Sequence, residues 1–336
     1  KRRLFAIPLE ALEDPALHEM FAAKRDELDR QITLLSDRGT PRFLLGSRQL
    51  FGDVEPELRE AAERLFEILK AGQADEREHQ EPLDARALAD RAREDVARYR
   101  ALAPDFATRV EVREDVAGIL VSHGDFLVGA DARVAARRVE AALAHEIGTH
   151  ALTWHNGGRQ PFRELRAGMA GYEPLQEGLA VLAEYLVGQL DPGRLRQLAG
   201  RVIAVHMACE GADFVEVFRH LHRERGFGAR AAFMTAMRTF RGGGYVKDAI
   251  YLRGLQALLE RLGEGLSLEI LYVGKVSLEF LPLVEELRWR NLIEPPALLP
   301  RFLEQAEAQQ RLARLQTGMS LTDLAREANR CASASS

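Results

Sequence analysis

The sequence predicts an α+β protein that is mostly helical and carries one small sheet. Long stretches place apolar residues at helical spacing, short β-type runs cluster around residues 108–129, and glycine-rich breaks punctuate the remainder. The 336 residues leave room for about two modules of roughly 150 residues each. The expected division is an N-terminal helical region over 1–104 and a second region over 105–330, or one continuous domain.

Residues 9–34 read as a charged helix with Leu9, Leu12, Leu17, Met20 and Phe21 as its apolar stripe. Residues 55–71 read likewise, with Leu58, Ala61, Leu65 and Leu69 on one face. The polar stretch 72–82 reads as a loop, and 83–102 as helix. Residues 108–112, 118–122 and 125–129 are β-type runs, the last two joined by a tight turn at Ser122-His123-Gly124. A long helix is expected from about residue 133 to 154, ended by Asn156-Gly157-Gly158. A second starts at Pro174, where proline suits a first turn, and runs to about residue 188. Residues 193–225 read as further helix, 226–228 and 241–244 as glycine-rich breaks, the rest as mostly helix, and 332–336 as frayed. The sequence has no internal repeat.

Composition narrows the function. Hydrophobic residues make up 46% and charged residues 29%, which suits a folded protein and excludes a disordered or collagen-like chain. The formal net charge of -5 offers no global basic field, so neither nucleic acid nor an anionic membrane is an expected partner. No run approaches the roughly 20 apolar residues of a membrane helix. The basic start at Lys1-Arg2-Arg3 lacks a following apolar segment, because Glu10 and Glu13 intervene. Cys209 and Cys331 make no disulfide framework and fit a reducing, cytoplasmic setting; Cys209 reads as a small buried hydrophobe. Only five of the 46 basic residues are lysines, a bias that genome composition explains and that makes Lys247 conspicuous.

The sharpest motif is His145-Glu146-Ile147-Gly148-Thr149-His150. Imidazole is a common zinc ligand, and an adjacent carboxylate can act on a water at the metal. Histidines four apart lie about 40° apart around a helix; five apart, they diverge by about 140°. One inserted residue, a π-bulge, returns the pair to one face. Gly148 lowers the cost of that distortion. Val139, Leu143 and Ile147 then face the core. The spacing therefore predicts a local break in the i to i−4 ladder near Gly148, or else two histidines at chance spacing.

A zinc site of this kind needs a third ligand, often a glutamate on a second helix. Glu177 stands in the first turn of an otherwise apolar helix, followed by Leu179, Ala180, Val181 and Leu182. It is either that ligand or an acid on the helix dipole. Gly178 allows a neighbouring helix to approach. Glu184, seven residues on, either holds a ligand histidine from behind or is solvated.

His145–His150, Asn156, Gln160, the stretch Gly171-Tyr172-Glu173-Pro174-Leu175-Gln176-Glu177-Gly178-Leu179-Ala180 and Glu184-Tyr185 resemble the QEGLA-motif (flavohaemoglobin expression-modulating) proteins. These are related to the microtubule-associated tyrosine carboxypeptidases of animals, which remove the C-terminal tyrosine of α-tubulin. The block from Gly244 to Gly254, with Lys247, Asp248, Tyr251 and Leu252, resembles the family's KDxxYLxG stretch. The resemblance covers roughly residues 105–260; the first hundred match loosely.

The resemblance implies a gluzincin-like zinc metallopeptidase with the small sheet beside the HExxxH helix, its catalytic domain within 105–330. Zinc would be held by His145, His150 and Glu177, with Glu146 as general base. The relatives imply a carboxypeptidase acting on a peptide or protein C-terminus and releasing an aromatic, tyrosine-like residue. An oxyanion donor is needed beside the metal, and Tyr251, Tyr245 and His222 are candidates. Arg241 and Lys247 are candidates for the substrate's terminal carboxylate, with Tyr245 beside them, or are exposed loop charges. A zinc aminopeptidase or endopeptidase is the nearest alternative, but Arg238, Arg241, Lys247 and Arg253 make 238–253 mostly basic, which suits a carboxypeptidase. A non-catalytic regulatory protein on the same fold is the other; a purely structural site has no need of Glu146. His155 reads as structural or as an outer partner of the site. His220 and His222 diverge on a helix, and no serine nucleophile elbow occurs.

Overall fold

The computed structural model describes residues 1–69 and 81–334. The end of the expected helix 55–71 and most of the expected loop 72–82 therefore lie outside the described residues. The chain forms two compact units, each assembled from stretches distant in sequence. One takes Lys1–Glu76, Asp191–Arg253 and Ser320–Ser336; the other takes Arg77–Leu190 and Gly254–Met319.

The first unit is helical. After a short helix, Arg2–Phe5, its first long helix spans Pro15–Ser36 rather than starting at residue 9, because Asp14 caps it, accepting from the amides of Ala16 at 3.0 Å and Leu17 at 3.2 Å. Leu9–Ala11 makes a separate 3-10 turn. An Arg42–Phe51 helix follows, which the sequence pattern had not marked. Pro56–Ile68 buries Leu58, Ala62 and Leu65 and packs on Pro192–Cys209. The expected helix over 193–225 is broken into three: Pro192–Cys209, Phe214–Arg219 and a π-helical turn, His220–Glu224. A capping box between Asp213 and Glu216 restarts the chain after the first of these. Ala229–Phe240 ends at the expected glycine break, where Gly242, Gly243 and Gly244 have φ of 71°, 110° and 116°. The final helix, Leu321–Ala334, continues past residue 332, so the expected fraying does not begin there.

The second unit holds the sheet. Asp125–Gly129 is the central strand, parallel to Val110–Arg113 and antiparallel to Ile119–Ser122 across the expected tight turn. Leu83–Asp84 pairs with Arg133–Val134, so the helix expected from 83 begins at Ala85, capped by Asp84. The same pairing removes residues 133–134 from the expected long helix, which starts at Val139 after a 3-10 turn. That helix runs Val139–His145, then a π-helical turn Glu146–Ala151, then Leu152–Arg159. It passes through Gly157 without stopping. A Cβ there would sit 2.1 Å from the carbonyl oxygen of Leu165, so this glycine serves close approach, not termination. Glu173–Leu186 is the second helix of the site. Among the described residues, no helix is long and apolar enough to cross a membrane. No disulfide joins Cys209 and Cys331, and the first is only half-buried.

Candidate metal centre

The π-helical turn lies where the histidine spacing requires an extra residue. Val139, Leu143 and Ile147 are buried, and the Thr149 hydroxyl donates to the Ala144 carbonyl five residues back at 3.1 Å. The turn thereby brings His145 and His150 to one side, their ring centroids 5.1 Å apart. Strands Ile119–Ser122 and Asp125–Gly129 both pack on it.

Glu177 closes the cluster. Its Oε2 lies 3.8 Å from Nε2 of His145 and 3.8 Å from Nε2 of His150. One ligand atom from each of the three residues lies within 4.8 Å of the others. A tetrahedral zinc with bonds of about 2.0–2.1 Å separates its ligand atoms by about 3.4 Å, so the cluster needs little contraction. Glu177 Oε2 is also buried without a hydrogen-bond partner. A carboxylate oxygen stranded between two imidazole nitrogens is costly unless a cation sits among them. The donor set and this orphaned oxygen both fit a zinc ion.

Glu184 fixes the first histidine. It is 1% exposed; its Oε1 accepts from His145 Nδ1–H at 3.0 Å and its Oε2 from Arg138 at 2.6 Å. That bond leaves the Nε2 lone pair of His145 directed to the cluster. Burial alone would lower the His145 pKa, but the Glu184 hydrogen bond and the carboxylates of Glu146, Glu184 and Glu177 raise it overall. Glu146 is buried beside the cluster. Burial, against the opposing pull of His145, pushes its carboxyl up to about 7. The backbone amide of Val121 is a further hydrogen-bonding influence on it.

The remaining motif residues of this unit are architectural. Asn156 donates to the carbonyls of Tyr272 and Leu298, both at 2.8 Å, and accepts from the Leu298 amide at 3.1 Å. Gln160 exchanges two bonds of 2.9 Å with the Glu294 backbone. Gly178 faces Gly254: a Cβ on Gly178 would lie 2.3 Å from the Gly254 carbonyl carbon, and one on Gly254 would lie 1.7 Å from the Pro174 oxygen. His155 packs edge-on to Phe106.

Tyr245, Arg241, Lys247, Tyr251 and His222 all belong to the first unit. The Arg241 guanidinium lies 4.8 Å from the centroid of the Tyr245 ring, which packs edge-on to Phe51. Lys247 Nζ stands 5.6 Å over Phe51. The Tyr251 ring lies under the guanidinium of Arg201 at 4.8 Å. His222 donates from Nδ1 to the Phe227 carbonyl at 2.7 Å and stacks on Phe218. His220 pairs with Glu224 instead, so the two histidines have separate partners.

Sequence reasoning missed Arg138, which anchors Glu184 across 46 positions, and Gln189, which takes the Ala141 amide at 2.9 Å. No local pattern marks either. No curated protein matches the chain. The profile of the family described as "Microtubule-associated tyrosine carboxypeptidase" matches residues 1–320, so the relationship extends over the first hundred residues as well as the expected 105–260. The chain belongs to the microtubule-associated tyrosine carboxypeptidase family.

Proposed function

We propose that the chain is a zinc-dependent metallocarboxypeptidase that releases a C-terminal aromatic, tyrosine-like residue from a peptide or protein. The family supports the reaction class, and its name supports the preference for tyrosine. The observation that carries the metal is the buried, unpartnered Glu177 Oε2 at 3.8 Å from both imidazoles. His145, His150 and Glu177 hold the ion. Bound there, zinc supplies Lewis acidity to a water and to the scissile carbonyl.

The protein's own groups do the rest. Glu184 keeps the proton on His145 Nδ1 and so presents Nε2 as a donor. Glu146 removes a proton from the attacking water and returns it to the leaving amine. Burial raises the hold of the Glu146 carboxyl on a proton, which favours this shuttle. The motif block around Lys247 and Asp248 brings Tyr251 into the proposal as oxyanion donor, and Arg241, Lys247 and Tyr245 as contacts to the substrate's end. Two cysteines outside any disulfide and a site built from His and Glu fit a reducing, cytoplasmic location.

A peptide library varied at its C-terminal residue tests the reading. Wild type is expected to shorten peptides by one residue, fastest from tyrosine, with Glu146→Gln inactive. Internal or N-terminal cleavage would favour an endopeptidase or aminopeptidase. Identical behaviour of wild type and Glu146→Gln on every peptide would favour a regulatory role.

A further inference from the structure

Within the first unit, Arg201 on the Pro192–Cys209 helix is a guanidinium with little to donate to. Its side chain is only 11% exposed. The nearest carboxylate oxygen, Asp248 Oδ2, is 3.8 Å from its Nε, beyond hydrogen-bond length. Both Asp248 oxygens are already engaged by Arg238, at 2.6 Å and 2.7 Å. Among the described residues, Arg201 makes no hydrogen bond; it rests on the Tyr251 ring. A guanidinium carries five N–H donors in a fixed fork, and a buried charge ordinarily has them met.

Charge points the same way. Arg201 and Arg238 bring two positive charges to one carboxylate that is itself 1% exposed. Arg241 adds to the positive field on Asp248, and Arg194 to that on Arg201. Burial, with Asp248 only partly opposing it, pushes the Arg201 pKa down. The uncompensated charge at the core of the cluster is one. A carboxylate, planar and singly charged, matches that charge and the geometry of the fork. A phosphate dianion would over-neutralise it and face Asp248.

We propose that Arg201, stacked on Tyr251 and backed by Arg238, is a receptor for a carboxylate ligand. The ligand is either a small organic acid or the α-carboxylate that ends a peptide. The peptide arm of this inference deepens the carboxypeptidase reading above and rests on it; the test reads binding and not hydrolysis, so either can fail without the other.

The probes are benzoate, a short peptide as free acid, the same peptide as its C-terminal amide, and inorganic phosphate. They are titrated at constant ionic strength into the full-length, zinc-reconstituted chain. The readout is the Arg201 Nε–Hε resonance, identified by its absence in Arg201→Lys; this keeps any carboxylate bound at the metal out of the measurement. A saturable shift with benzoate, with the free-acid peptide or with both is expected, and which probe acts identifies the source. The amide and phosphate should leave the resonance unmoved. Carboxylate affinity should fall at least 10-fold in Arg201→Met, and also in Arg201→Lys, which keeps the charge and loses the fork. The inference is overturned if neither carboxylate gives a saturable shift, or if phosphate or the amide shifts the resonance equally. It is also overturned if Arg201→Lys binds benzoate and peptide within two-fold of wild type. Should Arg201→Met fail to fold, the wild-type resonance and Arg201→Lys decide the matter.

Discussion

Glu184 Oε1 lies 3.0 Å from Nδ1 of His145, while its other oxygen takes Arg138 at 2.6 Å. This relay runs across two helices and sets which nitrogen of His145 faces the cluster. Glu184→Gln keeps the shape but gives up the charge and the tie to Arg138. Zinc affinity is expected to fall about 10- to 100-fold, the range for lost outer partners of a ligand histidine. Chelator competition on folded protein measures it, and unchanged affinity would remove Glu184 from the account.

Gly178 and Gly254 hold the Glu177 helix against the chain where the KDxxYLxG block ends, at Gly254-Leu255. Gly178→Ala drives a Cβ into the Gly254 backbone, which cannot swing aside as a side chain can. The expected loss is about 1–3 kcal/mol, with Gly254→Ala the worse of the two. Thermal melts should show Tm falling by about 2–4 °C for each kcal/mol. A variant melting with wild type would mean that the helices separate freely.

The Thr149 hydroxyl supports the π-helical turn through the Ala144 carbonyl. Thr149→Val preserves volume and removes that bond, at about 1 kcal/mol. Amide exchange across 145–151 should quicken relative to the flanking helix. Equal protection in both proteins would show that the turn needs no such support.

The cluster of His145, His150 and Glu177 was legible in the sequence because its constraints are local. Histidines five apart on one helix demand an extra residue, and a glutamate heading an apolar helix demands a partner. The hairpin at His123-Gly124 was equally local. What escaped depends on distant partners. Residues 133–134 look helical until Leu83–Asp84 claims their backbone. Gly157 resembles a helix stop until Leu165 is seen against it. Arg138 and Arg201 are two arginines among many, distinguished only by the Glu184 bond of the first and by the absence of a hydrogen-bonded carboxylate at the second. The unit division likewise follows contacts between stretches more than a hundred positions apart.

Asp248 gives a prediction in pH. Burial would raise its carboxyl, but the Arg238 hydrogen bonds and the charges of Arg201, Arg238 and Arg241 hold it below the usual value of 3.8. A carboxylate depressed in the folded state stabilises fully above its unfolded value and loses that contribution as pH falls through the folded one. Asp248→Asn should therefore flatten the decline in stability below about pH 4. At neutral pH it should cost about 3–5 kcal/mol, because two mostly buried guanidinium groups lose their counter-charge. Urea melts between pH 3 and pH 7 measure both effects; parallel curves would contradict the flattening, and coincident curves would contradict both.

Zinc analysis of the purified, reconstituted chain tests the central claim most directly. The account predicts about one zinc per chain, lost from Glu177→Ala under a chelator concentration that wild type withstands. No zinc in wild type after reconstitution, or equal retention by Glu177→Ala, would contradict it.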